Sequence, residues 1–212
     1  MPLESLFMNE LIAVAAITIL AVISPGPDFA MVTRNSYAYG RRSGLIAAFG
    51  IACGVQVHVF YTVLGIALII THSPILFMTM KILGAAYLIY LGWKSLSSNS
   101  TLQLGTANGP PPSAGKAFGM GFLTNALNPK TMLFVVATYS QVVQVSNSLA
   151  TNFAYGLFMS LSHWVWFSFV ALFFSAEALR QRMLAKQHVV DKVIGTALIG
   201  LGVSLVLPGM GH

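Results

Sequence analysis

Asp28 ends the segment Ser24-Pro25-Gly26-Pro27-Asp28, which interrupts an apolar run from Leu11 to Val32. A second motif, Asn128-Pro129-Lys130 with Asn125 just before it, interrupts another apolar run. Proline removes a backbone donor and its ring clashes with the preceding turn, so each motif breaks a helix and leaves peptide groups without partners. In hydrocarbon such groups are costly unless something polar uses them. The amides after Pro27, at the positive end of a resuming half-helix, suit a carboxylate, and the carbonyls before Ser24 suit an ammonium group. An amino acid carries both charges and fits such a site.

Asp28 has two readings. It caps the half-helix or pairs with a nearby base, or it binds an ammonium group and carries a proton. An acid that is neutral in one state and charged in another couples export of a solute to a proton gradient. In the second motif Pro129 frees backbone groups, Asn128 is placed to cap the helix that resumes, and Lys130 either neutralises Asp28 or meets a substrate carboxylate. An Asp28–Lys130 pair that never touches substrate stays open. His58 lies one turn after Gly54, which lies one turn after Gly50, so the three share a helix face. The glycines read first as a close-packing surface. His58, with Gln56 nearby, and His163, beside Trp164 and Trp166, serve either substrate and proton or the protein interior. The candidate substrate site is Ser24, Pro25, Gly26, Pro27, Asp28, Asn125, Asn128, Pro129, Lys130, His58 and His163, with Asp28 as the proton-coupling group.

Enzymatic chemistry finds little footing. Ser24, Asp28 and a remote histidine lack the context of a nucleophile elbow, and the histidines lack metal-ligand spacing. No catalytic residue, metal or cofactor is expected.

The elements that position these residues lie in a bilayer. Hydrophobic residues make up 56% of the 212-residue chain and charged ones 8%, against roughly 25% charged in soluble domains. Mean hydropathy is +0.77. The net charge of +6 is no nucleic-acid footprint, because Lys and Arg gather between apolar runs rather than on a basic face. Cys53 is alone, so no internal disulfide forms. Glu4 and Glu10, with no base before the first apolar run, argue against a cleaved signal peptide.

Six membrane helices are expected at about 9–33, 43–70, 74–96, 117–140, 149–175 and 190–208, each near the ~20 residues a span needs. Arg34, Arg41 and Arg42 follow the first; Lys94 and Lys116 flank the loop after the third; Arg180, Arg182, Lys186 and Lys192 lie between the fifth and sixth. The turns after spans two and four have no Lys or Arg, so both termini are expected on the periplasmic side of a bacterial inner membrane. Lys81, inside the third span, is an exception that snorkelling accommodates. The single transmembrane domain, 1–212, divides into a first half, 1–96, a cytoplasmic linker, 97–115, containing Pro110-Pro111-Pro112, and a second half, 116–212. Each half opens with a proline break, and Ala48-Phe49-Gly50 resembles Ala154-Tyr155-Gly156. The expected fold is therefore all-α, with six helices in a 3+3 inverted repeat and helices one and four broken. Segment 176–189 reads as an amphipathic helix on the cytoplasmic face. The glycine faces pack within one chain or between copies of it, so a homo-oligomer stays open.

The chain resembles the lysine exporter and homoserine/threonine resistance family of bacterial amino acid exporters. The resemblance rests on Ser24 to Asp28, Gly40-Arg41-Arg42-Ser43-Gly44-Leu45, Gly50 to Gly54, and Gly119-Met120-Gly121-Phe122-Leu123-Thr124-Asn125 running into Asn128-Pro129-Lys130. It covers nearly the whole chain and implies a proton-driven exporter of amino acids, with signature positions at Pro25, Gly26, Pro27, Asn128 and Pro129. Asp28 resembles the threonine-exporting branch, which favours a neutral substrate such as threonine or homoserine. Tyr139-Ser140-Gln141 departs from the pattern, since many relatives have a proline before the glutamine. A transporter of another small solute, such as a basic amino acid, an amino acid derivative or a cation, is the chief alternative, followed by a non-transporting scaffold or channel. The expected partners are a small amino acid, protons and membrane lipid.

Overall fold

A computed structural model describes residues 3–97, 110–142 and 147–206. Among the described residues eight α-helices follow in order: α1 (Leu3–Ile23), α2 (Pro27–Tyr39), α3 (Arg41–His72), α4 (Pro74–Leu96), α5 (Ala114–Ala126), α6 (Pro129–Val142), α7 (Leu149–Phe174) and α8 (Glu177–Val206). No strand occurs among the described residues. Both proline motifs break a helix where the sequence places the break, between α1 and α2 and between α5 and α6. The first pair bends by 53°.

Local chemistry sets the ends. Ser73, Ser113 and Ser148 cap α4, α5 and α7, each hydroxyl accepting a first-turn amide hydrogen bond. Pro27, Pro74 and Pro129 open α2, α4 and α6, where a missing amide hydrogen costs nothing. Gly40, at φ +82°, turns the chain from α2 into α3 in a conformation that a side chain would disfavour. Most of the expected 97–115 linker lies outside the described residues. The expected amphipathic helix at 176–189 and the sixth span form one helix, α8. Neither glycine nor proline occurs from Glu177 to Ile194, and strong helix formers fill the segment, so nothing stops propagation.

Beside a buried apolar core, small polar side chains face inward and many large apolar ones face outward. Thr18, Thr33, Asn35, Asn125 and Thr138 are fully buried, whereas Phe49, Phe60, Leu83, Trp93, Val165 and Phe169 are exposed. This arrangement suits a solvent of lipid. By length and composition, Arg41–Ile66 and Leu149–Phe174 are long and apolar enough to cross a membrane, and the bent pair Met8–Ile23 with Pro27–Tyr39 adds a third if counted as one span.

Close backbone approach holds the bundle. A Cβ at Gly121 or Gly50 would collide with the Ala47 or Phe118 carbonyl, and one at Gly54 would sit 2.9 Å from the Asn125 Cβ. The shared glycine face of α3 therefore seats α5 against it. Gly92 and Gly195 join α4 to α8 in the same way.

Candidate functional site

The first break leaves bare acceptors. α1 ends with the Ser24 amide on the Leu20 carbonyl, and α2 begins with the Ala30 amide on the Gly26 carbonyl. The intervening carbonyls of Ser24 and Pro25 accept from Lys130 Nζ at 2.5 and 3.3 Å. Gly26 makes room for that side chain, because a Cβ there would lie 3.2 Å from Lys130 Cδ. The protein's own ammonium thus occupies carbonyls of the kind expected to hold a ligand's.

The second break supplies donors. Asn128 Oδ1 accepts the Lys130 amide at 3.0 Å and caps α6. Its Nδ2 donates to Asp28 Oδ2 at 3.1 Å, and Asn125 Nδ2 donates to the same oxygen at 2.9 Å. Thr131 Oγ1 adds a longer contact of 3.4 Å. Asp28 is 5% exposed, and its other oxygen, Oδ1, has no hydrogen-bond partner among the described residues. Asp28 lies in the first turn of α2, where a carboxylate is favoured, but does not cap the helix: Gly26 is the N-cap and takes no side-chain bond. Asp28 and Lys130 interact electrostatically while their hydrogen bonds go to different partners.

Two cavities adjoin these groups. A small one, about 20 Å³, is lined by Ser24, Asp28, Asn128, Lys130, Thr131 and His163 among others. It has room for about one water molecule. A larger one, about 500 Å³, lies between the first break, α4, α6 and α8. His163 therefore joins the site, with Nδ1 anchored on the Met159 carbonyl at 2.8 Å. His58 stands behind it. Its Nε2 bonds the Asn125 carbonyl at 2.8 Å and its Nδ1 bonds Tyr61 at 2.6 Å, and it lines neither cavity. Pro25, Pro27 and Pro129 line the larger cavity through the break itself.

The family is decided by likeness along the chain. The LysE type translocator profile matches residues 19–209. The chain belongs to that family. The translocator is 32% identical over 205 residues to the uncharacterized membrane protein YrhP of Bacillus subtilis, covering 92% of this chain and 98% of that one. It is 28% identical over 203 residues to the threonine efflux protein of Escherichia coli K12, covering 92% and 97%, and 28% identical over 197 residues to that of Salmonella typhi, covering 92% and 96%. No solved structure matches it. The family is one of translocators, not enzymes, and the chain is a multi-pass helical membrane protein.

Three buried polar groups fall outside the residues that the sequence marks for the site. Thr131 touches Asp28, and its position in the first turn after Pro129 was the available signal. Asp191, 2% exposed, lines the larger cavity, although the basic residues on either side of it in sequence mark the segment as a cytoplasmic one. Glu10 is buried and accepts from Tyr155 and Asn147 at 3.0 and 3.1 Å, joining α1 to the start of α7 away from both cavities.

Proposed function

We propose that the translocator is a secondary active exporter of neutral amino acids such as threonine or homoserine, exchanging them for protons across the bacterial cytoplasmic membrane. The observation that carries this reading is one buried carboxylate, Asp28 of the first break, held by Asn125 and Asn128 of the second. A charge so enclosed persists only where it works or is paired. The relatives named threonine efflux proteins support the substrate class.

The packing supports a 3+3 inverted repeat in six spans, with each broken pair counted once. α3 packs on α7 and α4 on α8, pairing the later helices of one half with their counterparts in the other. α3 brings His58 to the second break, and α7 brings His163 to the first. α4, at 23 residues, reaches about 35 Å at ~1.5 Å per residue, enough for a hydrocarbon core of about 30 Å. Basic residues after the first, third and fifth spans favour periplasmic termini, with residues 1–96 and 116–212 as the two halves.

In this mechanism the free Oδ1 of Asp28 takes the substrate ammonium and Lys130 turns to its carboxylate. The water-sized cavity at Asp28 is too small for an amino acid, so seating substrate requires the two breaks to part. A proton arriving from the periplasm neutralises Asp28 and releases the amino acid. The test is efflux of labelled threonine from proteoliposomes under an imposed proton gradient, with homoserine, leucine and lysine as internal competitors. Saturable, gradient-dependent efflux is expected. No amino acid flux from folded protein would transfer the assignment to another small solute.

A further inference from the structure

The larger cavity contains an acid that the scheme above does not use. Its wall comprises the first break, Tyr87, Tyr90, Lys94 and Ser95 of α4, Lys130 of α6, and Asp191 of α8. At about 500 Å³ it falls within the ~300–1,000 Å³ of small-molecule sites. Asp191 is 98% buried by its exposure of 2%, and its Oδ1 has no hydrogen-bond partner among the described residues. A buried carboxylate oxygen without a donor is costly, and in a cavity of ligand size a substrate ammonium group would satisfy it. Its placement is built rather than incidental. Gly195, one turn along α8, meets the Gly92 backbone, and Ser95 donates to the Asp191 carbonyl at 2.8 Å, so α4 fixes the turn that carries the acid. Lys130 interacts electrostatically with both Asp28 and Asp191, and Lys94 adds a second cation to the same cavity. The wall therefore presents one carboxylate and two cations, the complement of a zwitterion.

We propose that this cavity is the cytoplasmic receiving chamber for the exported amino acid, where Asp191 binds the substrate ammonium group while Lys94 and Lys130 face its carboxylate, before transfer past Lys130 to Asp28. The proposal rests on the exporter reading and adds a second ammonium subsite to it.

The test is threonine efflux from proteoliposomes at varied internal threonine, comparing wild type, Asp191→Asn and Leu133→Trp. Leu133 lines the same cavity and is partly exposed, so the larger ring fills the chamber without entering a packed core. Asp191→Asn should raise the KM for threonine by about tenfold or more, the loss of one charge-assisted contact, and Leu133→Trp should raise it about as much by occupying the chamber. kcat should stay within about twofold, because a group that only receives substrate binds it without driving the later step. Asp191→Glu should recover most of the affinity. A wild-type KM in either folded Asp191→Asn or Leu133→Trp overturns the proposal while leaving the exporter reading intact. An absence of amino acid efflux in wild type overturns both.

Discussion

The two broken helices are unequal. At the first break Gly26, the N-cap of α2, brings no side-chain cap, and the Ser24 and Pro25 carbonyls take their donor from Lys130. At the second, Asn128 caps α6 and the Asn125 carbonyl is taken by the Asn128 amide and His58. One break is rich in acceptors and needs donors; the other closes its own backbone and has donors to spare. Asn125, Asn128 and Lys130 all reach across to the first break. Damage to the second break therefore falls on the first, and the reverse holds less strongly.

The sharpest way to break this asymmetry is Lys130→Met. It leaves two carbonyls without a donor, each worth about 1–3 kcal/mol when buried and unpaired. The variant should lose about 2–6 kcal/mol of stability by the same measure, read as thermal unfolding in detergent, and should not export threonine. Wild-type stability would show that water serves the first break as well as Lys130 does. Asn128→Ala comes next. It removes a cap worth about 1 kcal/mol and one donor to Asp28, and the expected loss is about 1–2 kcal/mol. Ser24→Ala should do least. Lys130 uses the Ser24 carbonyl, which the substitution retains, so stability should stay within about 0.5 kcal/mol of wild type. A large loss there would shift the first break's role from backbone to side chain.

Much of this arrangement is legible in the sequence. Pro25, Pro27 and Pro129 mark both breaks because proline acts locally, and Asn128 reads as a cap because its side chain bonds two residues along. Gly50 and Gly54 declare a close-packing face, which the crossing with α5 occupies. What depends on distance in space is not legible. Nothing local says that Lys130 turns to the Ser24 and Pro25 carbonyls, that Thr131 faces Asp28, or that His58 supports Asn125 from behind while His163 enters the site. Asp191 was hidden for a further reason: between Arg180 and Lys192 the charge count signals a cytoplasmic segment, and only the packing of α8 on α4 turns one acid inward. The same helix-forming run that looked like a separate amphipathic helix continues into α8 because no residue there stops it.

The central claim is that Asp28, clasped by both breaks, exchanges a proton for an amino acid. The most direct test loads vesicles with labelled threonine and a pH-sensitive dye, then follows both signals for wild type and Asp28→Asn, with folding of each confirmed by thermal unfolding. Wild type should move protons inward as threonine leaves, and Asp28→Asn should lose the gradient-driven component of efflux by about 100-fold, equivalent to about 2.8 kcal/mol. Proton-linked threonine efflux persisting in folded Asp28→Asn would contradict the account.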